Sequence, residues 1–211
     1  MSIFTDSKCK ICRRAGEKLF LKGEKCFSVK CPLVKKPYPP GIFGPVSRRR
    51  PPSEYGDQLK EKQKLRFAYG LREKQFANYV EKATKKRDIE NTLQLIRFLE
   101  SRLDNVVFKM GLAKSRSAAR QLVSHGYIAI NGRKTTIPSF GVKEGDLIQI
   151  NPPKTAKPVF RDLDVTLKKH QPPSWIELDK NQKTAKIIAM PSLKETAGNI
   201  DLNKIIEFYT K

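Results

Sequence analysis

The chain has 211 residues, and its 43 lysines and arginines against 21 aspartates and glutamates give a formal net charge of +22. Solubility does not require so large an excess, which indicates an anionic partner, either nucleic acid or an anionic membrane surface. The apolar runs are shorter than the roughly 18 residues that a membrane-spanning helix needs, and the N-terminus lacks the apolar core of a secretion signal. We therefore expect a cytoplasmic, RNA-binding protein of one or two domains.

All four cysteines lie within the first 31 residues, at the spacing C-x2-C-x13-C-x4-C. This segment has few apolar residues for a core, and four thiolates suit a closed tetrahedral zinc site that supplies folding free energy instead. An iron–sulfur cluster uses the same ligands, and the spacing does not exclude it. The expected cytoplasmic location argues against two disulfides, and the strand–helix context of a redox C-x-x-C is missing. The predicted ligands of one structural zinc ion are Cys9, Cys12, Cys26 and Cys31.

Residues 32–52 form a proline-rich segment that we interpret as an extended linker, because proline stiffens the chain. The linker contains three consecutive arginines, Arg48, Arg49 and Arg50. A lone run of this kind is often only solvated, but in so basic a chain we interpret it as RNA-binding.

Three helical patterns follow the linker. Ser53 is a predicted N-cap, with acidic residues in the turn after it. Lys62 and Arg66 are four residues apart and share a helix face, and we predict that both contact phosphate. A second helix is predicted around Glu73–Lys85, and a third is predicted to run unbroken from Asn91 to about Met110.

Residues 101–150 have the pattern of two helices followed by a small strand meander. Gly111 is predicted to end the first helix, Ser115 or Ser117 to cap the second, and Asn131-Gly132 to form a tight hairpin. No acid lies between Asp104 and Glu144. We interpret the cations of this window as a phosphate-binding surface and not merely a solvated basic face. The predicted contacts are Arg102, Lys114, Arg116, Arg120, Asn131, Arg133 and Lys134, although Arg102 has Asp104 and Glu100 as alternative partners.

The tail has the pattern of a strand pair, residues 174–179 and 184–190, and a closing helix at residues 201–209. The chain has only two histidines, His125 and His170, and no P-loop, nucleophile elbow or H-E-x-x-H motif. An enzyme is therefore not predicted.

The most specific signal is the pair of motifs RLDNVVFKMG and SRSAARQLVSHGYIAINGR, accompanied by CKICRRAGEKLFLKG, YGDQLKEKQK and IIEFYTK. These segments resemble the S4 family of small-subunit ribosomal proteins, in its bacterial or organellar, four-cysteine zinc-binding form. The resemblance extends over essentially the whole chain, which distinguishes it from pseudouridine synthases and other proteins that carry the RNA-binding module alone. The chain departs from the family at Ile42-Phe43, where members more often have Gln-His.

The resemblance implies an α+β fold made of a zinc-ordered N-terminal segment, an α-helical domain, an inserted RNA-binding module of two helices and a small antiparallel sheet, and a C-terminal strand pair and helix. The corresponding segments are residues 1–45, 46–98 (completed by the C-terminal tail), 99–165 and 166–211.

For function, the resemblance implies a structural constituent of the small ribosomal subunit that binds 16S-type rRNA directly. It further implies that the protein nucleates assembly of the subunit body and influences decoding accuracy through the neighbouring protein numbered five. The alternatives are a non-ribosomal RNA chaperone or translational regulator with the same module, and a DNA-binding helix-turn-helix protein.

Overall fold

The computed structural model describes residues 7–46, 51, 53–85, 89–155, 157–161, 163–193 and 200–210. The fold divides into two compact units, one of residues 1–95 with 197–211 and one of residues 96–196. The mixture of helices with an antiparallel sheet agrees with the predicted fold class. Among the described residues, no helix combines the length and apolar character needed to cross a membrane.

The first unit is helical. Its elements are α1 (Lys8–Ala15), α2 (Glu24–Phe27), α3 (Pro32–Lys35), α4 (Glu54–Ala68), α5 (Glu73–Lys85), the start of α6 (Asn91–Glu100) and the C-terminal α10 (Leu202–Thr210). Ser53 caps α4, since its side-chain oxygen accepts a hydrogen bond from the backbone N–H of Gly56 at 3.2 Å. Helix α10 packs along α4, so the C-terminal end of the chain completes this unit.

The second unit begins within α6 and continues through α7 (Leu103–Lys109) and α8 (Arg116–Ser124). A sheet follows, made of β1 (Ile128–Ile130), β2 (Arg133–Thr135) and β3 (Leu147–Ile150), and it is completed after α9 (Leu163–Lys169) by β4 (Ile176–Asp179) and β5 (Thr184–Ile187). Short 3₁₀ turns occupy Pro152–Lys154 and Pro158–Phe160.

The five strands form one antiparallel sheet in the order β2-β1-β3-β5-β4. Asn131 and Gly132 connect β1 to β2 with positive φ angles of 49° and 78°, the conformation of a two-residue hairpin turn. Pairing of Ile148 with Ala185 joins the C-terminal strands to the module's own sheet. The strand pair therefore lies in the same compact unit as the RNA-binding module, whereas the prediction from sequence placed it in a separate C-terminal segment.

Helices α7 and α8 pack together and cover this sheet. Their apolar stripes contribute fully buried side chains, among them Val106, Met110 and Val123, which meet Ile128 and Ile148 from the strands. Because α7 and α8 are anchored by this core, their other faces have a defined position relative to the sheet.

The prediction of one helix from Asn91 to about Met110 is wrong. The helix breaks at Ser101–Arg102, where Arg102 has extended backbone with ψ 135°. The backbone N–H groups of Leu103 and Asp104 donate to the carbonyl oxygens of Phe140 and Pro138 instead of to the preceding helical turn. A loop distant in sequence therefore ends α6 and starts α7, and no local stop signal marks the position.

Candidate nucleic-acid interface

Asp104, in the first turn of α7, binds two arginines. Arg102 donates to both carboxylate oxygens, at 3.1 Å from Nε and 2.9 Å from Nη2, and Arg120 of α8 reaches the same carboxylate at 2.6–2.7 Å. The side chains of Asp104 and Arg102 are only 3% and 4% exposed, whereas that of Arg120 is 20% exposed. Two arginines therefore bind one carboxylate, and Arg120 is the one of the two with more exposed surface.

Asn105 holds Arg116 in a similar way. The Asn105 amide nitrogen donates to the Glu100 carboxylate at 2.6 Å, which leaves the amide oxygen to accept from Arg116 Nε at 2.7 Å. The guanidinium of Arg116 also lies 4.9 Å above the centre of the Phe108 ring, within range of a cation–π interaction. Arg116 and Arg120 are thus held on one face of α8 by acceptors from α7, and Glu100 of α6 in turn orients Asn105.

The geometry gives little support to the interpretation of Arg102 as a phosphate contact, because the side chain is buried and donates to Asp104 through two of its nitrogens, Nε and Nη2. Of the two alternative partners considered from the sequence, Asp104 and Glu100, the structure shows Asp104 bound to Arg102. Arg102 instead neutralises the carboxylate on which Arg120 rests.

The β1–β2 hairpin presents the remaining predicted cations of the module. Arg133 and Lys134 are exposed on β2. Asn131 is also exposed, but its side chain has a structural role: its amide nitrogen donates to Asp146 and its oxygen accepts from the backbone N–H of Leu147, both at 2.9 Å. Lys134 lies across Gly126, where an added Cβ would collide with the lysine side chain.

Lys114 is exposed in the segment between α7 and α8. It borders a groove that Gln121, His125 and Tyr127 also line. One cation that the sequence did not predict, Lys154, lies at the C-terminal end of α8, where its ammonium sits 4.5 Å above the Tyr127 ring and donates to the carbonyl oxygen of His125 at 2.5 Å. No local sequence pattern marks it, because its two partners lie nearly thirty residues earlier.

The two cations predicted on α4 are occupied within the first unit. Lys62 is buried and forms an ion pair of 2.7 Å with Glu73 of α5, while its ammonium lies 4.3 Å from the Phe208 ring centre. Arg66 donates to Gln63 at 2.9 Å and lies 3.5 Å from the same glutamate. The interpretation of Lys62 as a phosphate contact does not fit its burial, and Arg66 is largely enclosed.

Glu73 therefore anchors α4, α5 and α10 together, because Tyr209 of α10 also donates to it at 2.7 Å. Partial burial alone would raise the pKa of this carboxyl, but hydrogen bonds from Lys62 and Tyr209, and the charges of Lys62 and Arg66, lower it below its usual value. Burial and the hydrogen bond to Glu73 raise the pKa of the Tyr209 phenol. This cluster holds the three helices together, and the local sequence around Lys62 does not predict these contacts.

Arg48, Arg49 and Arg50 lie outside the described residues. Both histidines have structural contacts: His125 caps the C-terminal end of α8, and His170 packs against Gly111 with its Nε2 2.6 Å from the carbonyl oxygen of Lys109.

The four cysteines come together in the first unit. Cys9, Cys12, Cys26 and Cys31 line one small cavity next to Lys8 and Lys22. Burial raises the pKa of the Cys12 thiol, as does the proximity of the other three cysteines. Cys26 Sγ accepts a hydrogen bond from the backbone N–H of Lys22 at 3.4 Å. The donor chemistry suits zinc, although in the part of the chain that the structure describes no three His, Cys, Asp or Glu side chains are arranged as a metal site.

Comparison with known proteins decides the family. Residues 4–100 match the model of the ribosomal protein S4/S9 N-terminal domain, and residues 101–148 match the S4 domain. The small ribosomal subunit protein uS4 of Syntrophomonas wolfei is 44% identical over 211 residues, and that of Kosmotoga olearia is 45% identical over 212, in each case with both chains fully covered. The uS4 protein of Desulfitobacterium hafniense is also 44% identical over full length. The chain belongs to the uS4 family. These are ribosomal structural proteins and not enzymes, as the sequence predicts.

The S4 domain of this chain contains the Asp104 and Asn105 networks, both α8 arginines and the β1–β2 hairpin. The family match therefore coincides with the acid-free window in which the sequence predicted RNA contacts. What the sequence did not predict is the set of acceptors that orient the arginines.

Proposed function

We propose that this member of the uS4 family is a structural component of the small ribosomal subunit and binds its rRNA directly through the S4 domain. The observation that carries the proposal is the S4-domain surface between Asp104 and Glu144. Along this acid-free stretch, two partly exposed arginines are held in place on α8, and further cations are exposed on the hairpin. The proposed contacts are Lys114, Arg116, Arg120, Arg133 and Lys134, with Arg48–Arg50 as a basic linker.

The buried acceptors lower the conformational entropy that this surface loses on binding phosphate. A free arginine carries about 2 kcal/mol of rotamer entropy, much of which a phosphate contact must overcome. Arg116 and Arg120 already have part of their guanidinium donors engaged by Asn105 and Asp104, so less freedom is lost on binding. The exposed part of each guanidinium is suited to phosphate oxygens.

We further propose, from the family resemblance, that the protein acts in the cytoplasm on 16S-type rRNA and nucleates assembly of the subunit body. A role in decoding accuracy through the neighbouring protein numbered five belongs to the same proposal. To test the last point, small subunits are prepared with and without the protein, and their misreading is compared.

We also propose one structural zinc ion held by Cys9, Cys12, Cys26 and Cys31. The support is the convergence of four thiols on one cavity in a segment with few other core residues. Metal analysis of protein purified without added zinc tests it: about one zinc per chain is the expected result. Iron with sulfide, or a metal-free folded segment, would show the proposal to be wrong.

The RNA proposal is tested by measuring affinity for small-subunit rRNA, tRNA and duplex DNA across a salt series. Selective, salt-dependent binding to rRNA is expected. The double variants Arg116→Ala/Arg120→Ala and Arg133→Ala/Lys134→Ala should each reduce the slope of log affinity against log salt, by up to roughly 0.7–0.9 for each phosphate that the variant no longer binds. Equal affinity for all three nucleic acids, or wash-off from subunits at high salt, would favour a chaperone or regulator instead.

A further inference from the structure

The linker between α3 and α4 contains a tight turn with two exposed apolar side chains at its tip. The backbone N–H of Gly44 donates to the carbonyl oxygen of Gly41 at 3.2 Å, so Ile42 and Phe43 occupy the two central positions of a β-turn. Ile42 is 90% exposed and Phe43 is 80% exposed. Large apolar groups at this level of exposure stabilise nothing within the protein itself.

Arg13 and the close approach of Gly44 to Pro39 hold the turn in position. Arg13 of α1 donates to three successive parts of the linker: its Nε to the carbonyl oxygens of Lys36 and Tyr38, at 3.1 and 2.9 Å, and its Nη2 to that of Pro39 at 3.2 Å. The guanidinium also lies 4.8 Å from the centre of the Tyr38 ring. Gly44 sits so close to the backbone of Pro39 that no Cβ fits there. The tip is therefore held in a defined position, which lowers the conformational entropy lost when it binds a partner.

The charge around the turn indicates what the partner is. Between Glu24 and Glu54 the sequence contains seven lysines and arginines and no acid. A polyanion is drawn to such a segment, whereas an apolar protein surface is not. Where an aromatic side chain projects from a basic segment, RNA binds by stacking an unpaired base on the ring.

We propose that Phe43 stacks on an unpaired base of the rRNA, with Ile42 packed at the edge of the contact. The inference rests on the proposed rRNA binding and extends it to a second, uncharged type of contact outside the S4 domain. The bracing by Arg13 and Gly44 places the ring, and the neighbouring cations bring the phosphate backbone to it. Base stacking is largely tolerant of sequence, so the contact recognises an unstacked base and not a particular one.

The test compares three substitutions at one exposed position, which leave the fold intact because Phe43 makes no core contact. Affinity for small-subunit rRNA is measured for the wild type, Phe43→Ala, Phe43→Leu and Phe43→Trp, with Val29→Ala, which alters another exposed side chain of this unit, as the control. We expect Phe43→Ala and Phe43→Leu to weaken binding about 5- to 150-fold without changing the salt slope. Phe43→Trp and Val29→Ala should bind as the wild type does.

Phe43→Trp also reports the contact directly. The only native tryptophan, Trp175, is 3% exposed and provides a constant background. Indole emission at position 43 should be quenched on addition of rRNA, because the ring stacks on a base. Wild-type affinity in Phe43→Leu would mean a merely apolar contact and would overturn the proposal. Unchanged affinity in every variant, with an effect only in assembled subunits, would assign the tip to a protein partner. If the wild type itself does not bind rRNA, the proposed function fails, and the stacking proposal fails with it.

Discussion

Replacing Asp104 by asparagine tests the central argument about the S4 domain. The substitution keeps the size and shape of the side chain but removes the negative charge that Arg102 and Arg120 share. Arg120 is 20% exposed and can turn toward water, but Arg102 is 4% exposed and cannot. A buried guanidinium that has lost the charge of Asp104 beside it is therefore the dominant cost.

Removing one partner of a buried ion pair costs about 3–5 kcal/mol. Asparagine still accepts one hydrogen bond from Arg102, so we expect the lower end, about 3 kcal/mol, which is a factor of more than 100 in the folding equilibrium. For a unit of about 100 residues, this corresponds to a fall in Tm of roughly 12–24 °C. Urea unfolding followed by the fluorescence of Trp175 measures it, because this tryptophan is buried in the same unit.

Asp164→Asn is the matched control. It removes an ion pair of similar length, 2.9 Å to Lys183, but its side chain is 61% exposed. We expect a cost of about 0–1 kcal/mol. If Asp104→Asn destabilises no more than this control, the burial argument is refuted. The double variant Arg102→Met/Asp104→Asn should recover much of the loss, because it also removes the buried positive charge.

Three further predictions concern other parts of the chain. Lys134→Ala should lower the salt slope of rRNA binding by about 1, and Arg120→Ala by less, because Asp104 already offsets part of the charge of Arg120; a salt series measures both. Gly126→Ala should cost about 1–2 kcal/mol in urea unfolding, since φ is +66° there and the methyl group would displace the side chain of Lys134. The lowered pKa of Glu73 stabilises the folded state above the unfolded pKa near 4.3, and this contribution is lost as pH falls through the folded pKa. Glu73→Gln should therefore flatten the loss of stability on the acid side in a pH series of unfolding measurements.

Much of the fold could be predicted from local sequence patterns. The hairpin follows from Asn131-Gly132, since both residues must adopt positive φ, and the start of α8 follows from Ser115, whose side chain accepts from the backbone N–H of Ala118. The apolar stripes of α7 and α8 predicted the buried face correctly, because that face depends only on the helical repeat.

The structure differs from what the sequence indicates where the deciding partner is distant in sequence. Lys62 has the helical position of a surface cation, but Glu73 and Phe208 enclose it, and one of these comes from the last helix of the chain. The break before α7 depends on Pro138 and Phe140, which accept from its first backbone N–H groups. Charge and periodicity along one helix carry no information about either arrangement.

Burial is the basis on which we propose that some cations of the S4 domain contact RNA and that others only position them. Arg102 and Arg120 are the same residue type on the same carboxylate, yet only Arg120 has exposed surface for a phosphate. Without Arg102, Asp104 would cancel the charge of Arg120 and repel the phosphate that it is placed to bind. With Arg102, Asp104 positions Arg120 while a second positive charge offsets that of the carboxylate. In the proposed complex, Arg102 would thus contribute to RNA binding without touching the RNA, because it offsets the charge of Asp104 beside Arg120.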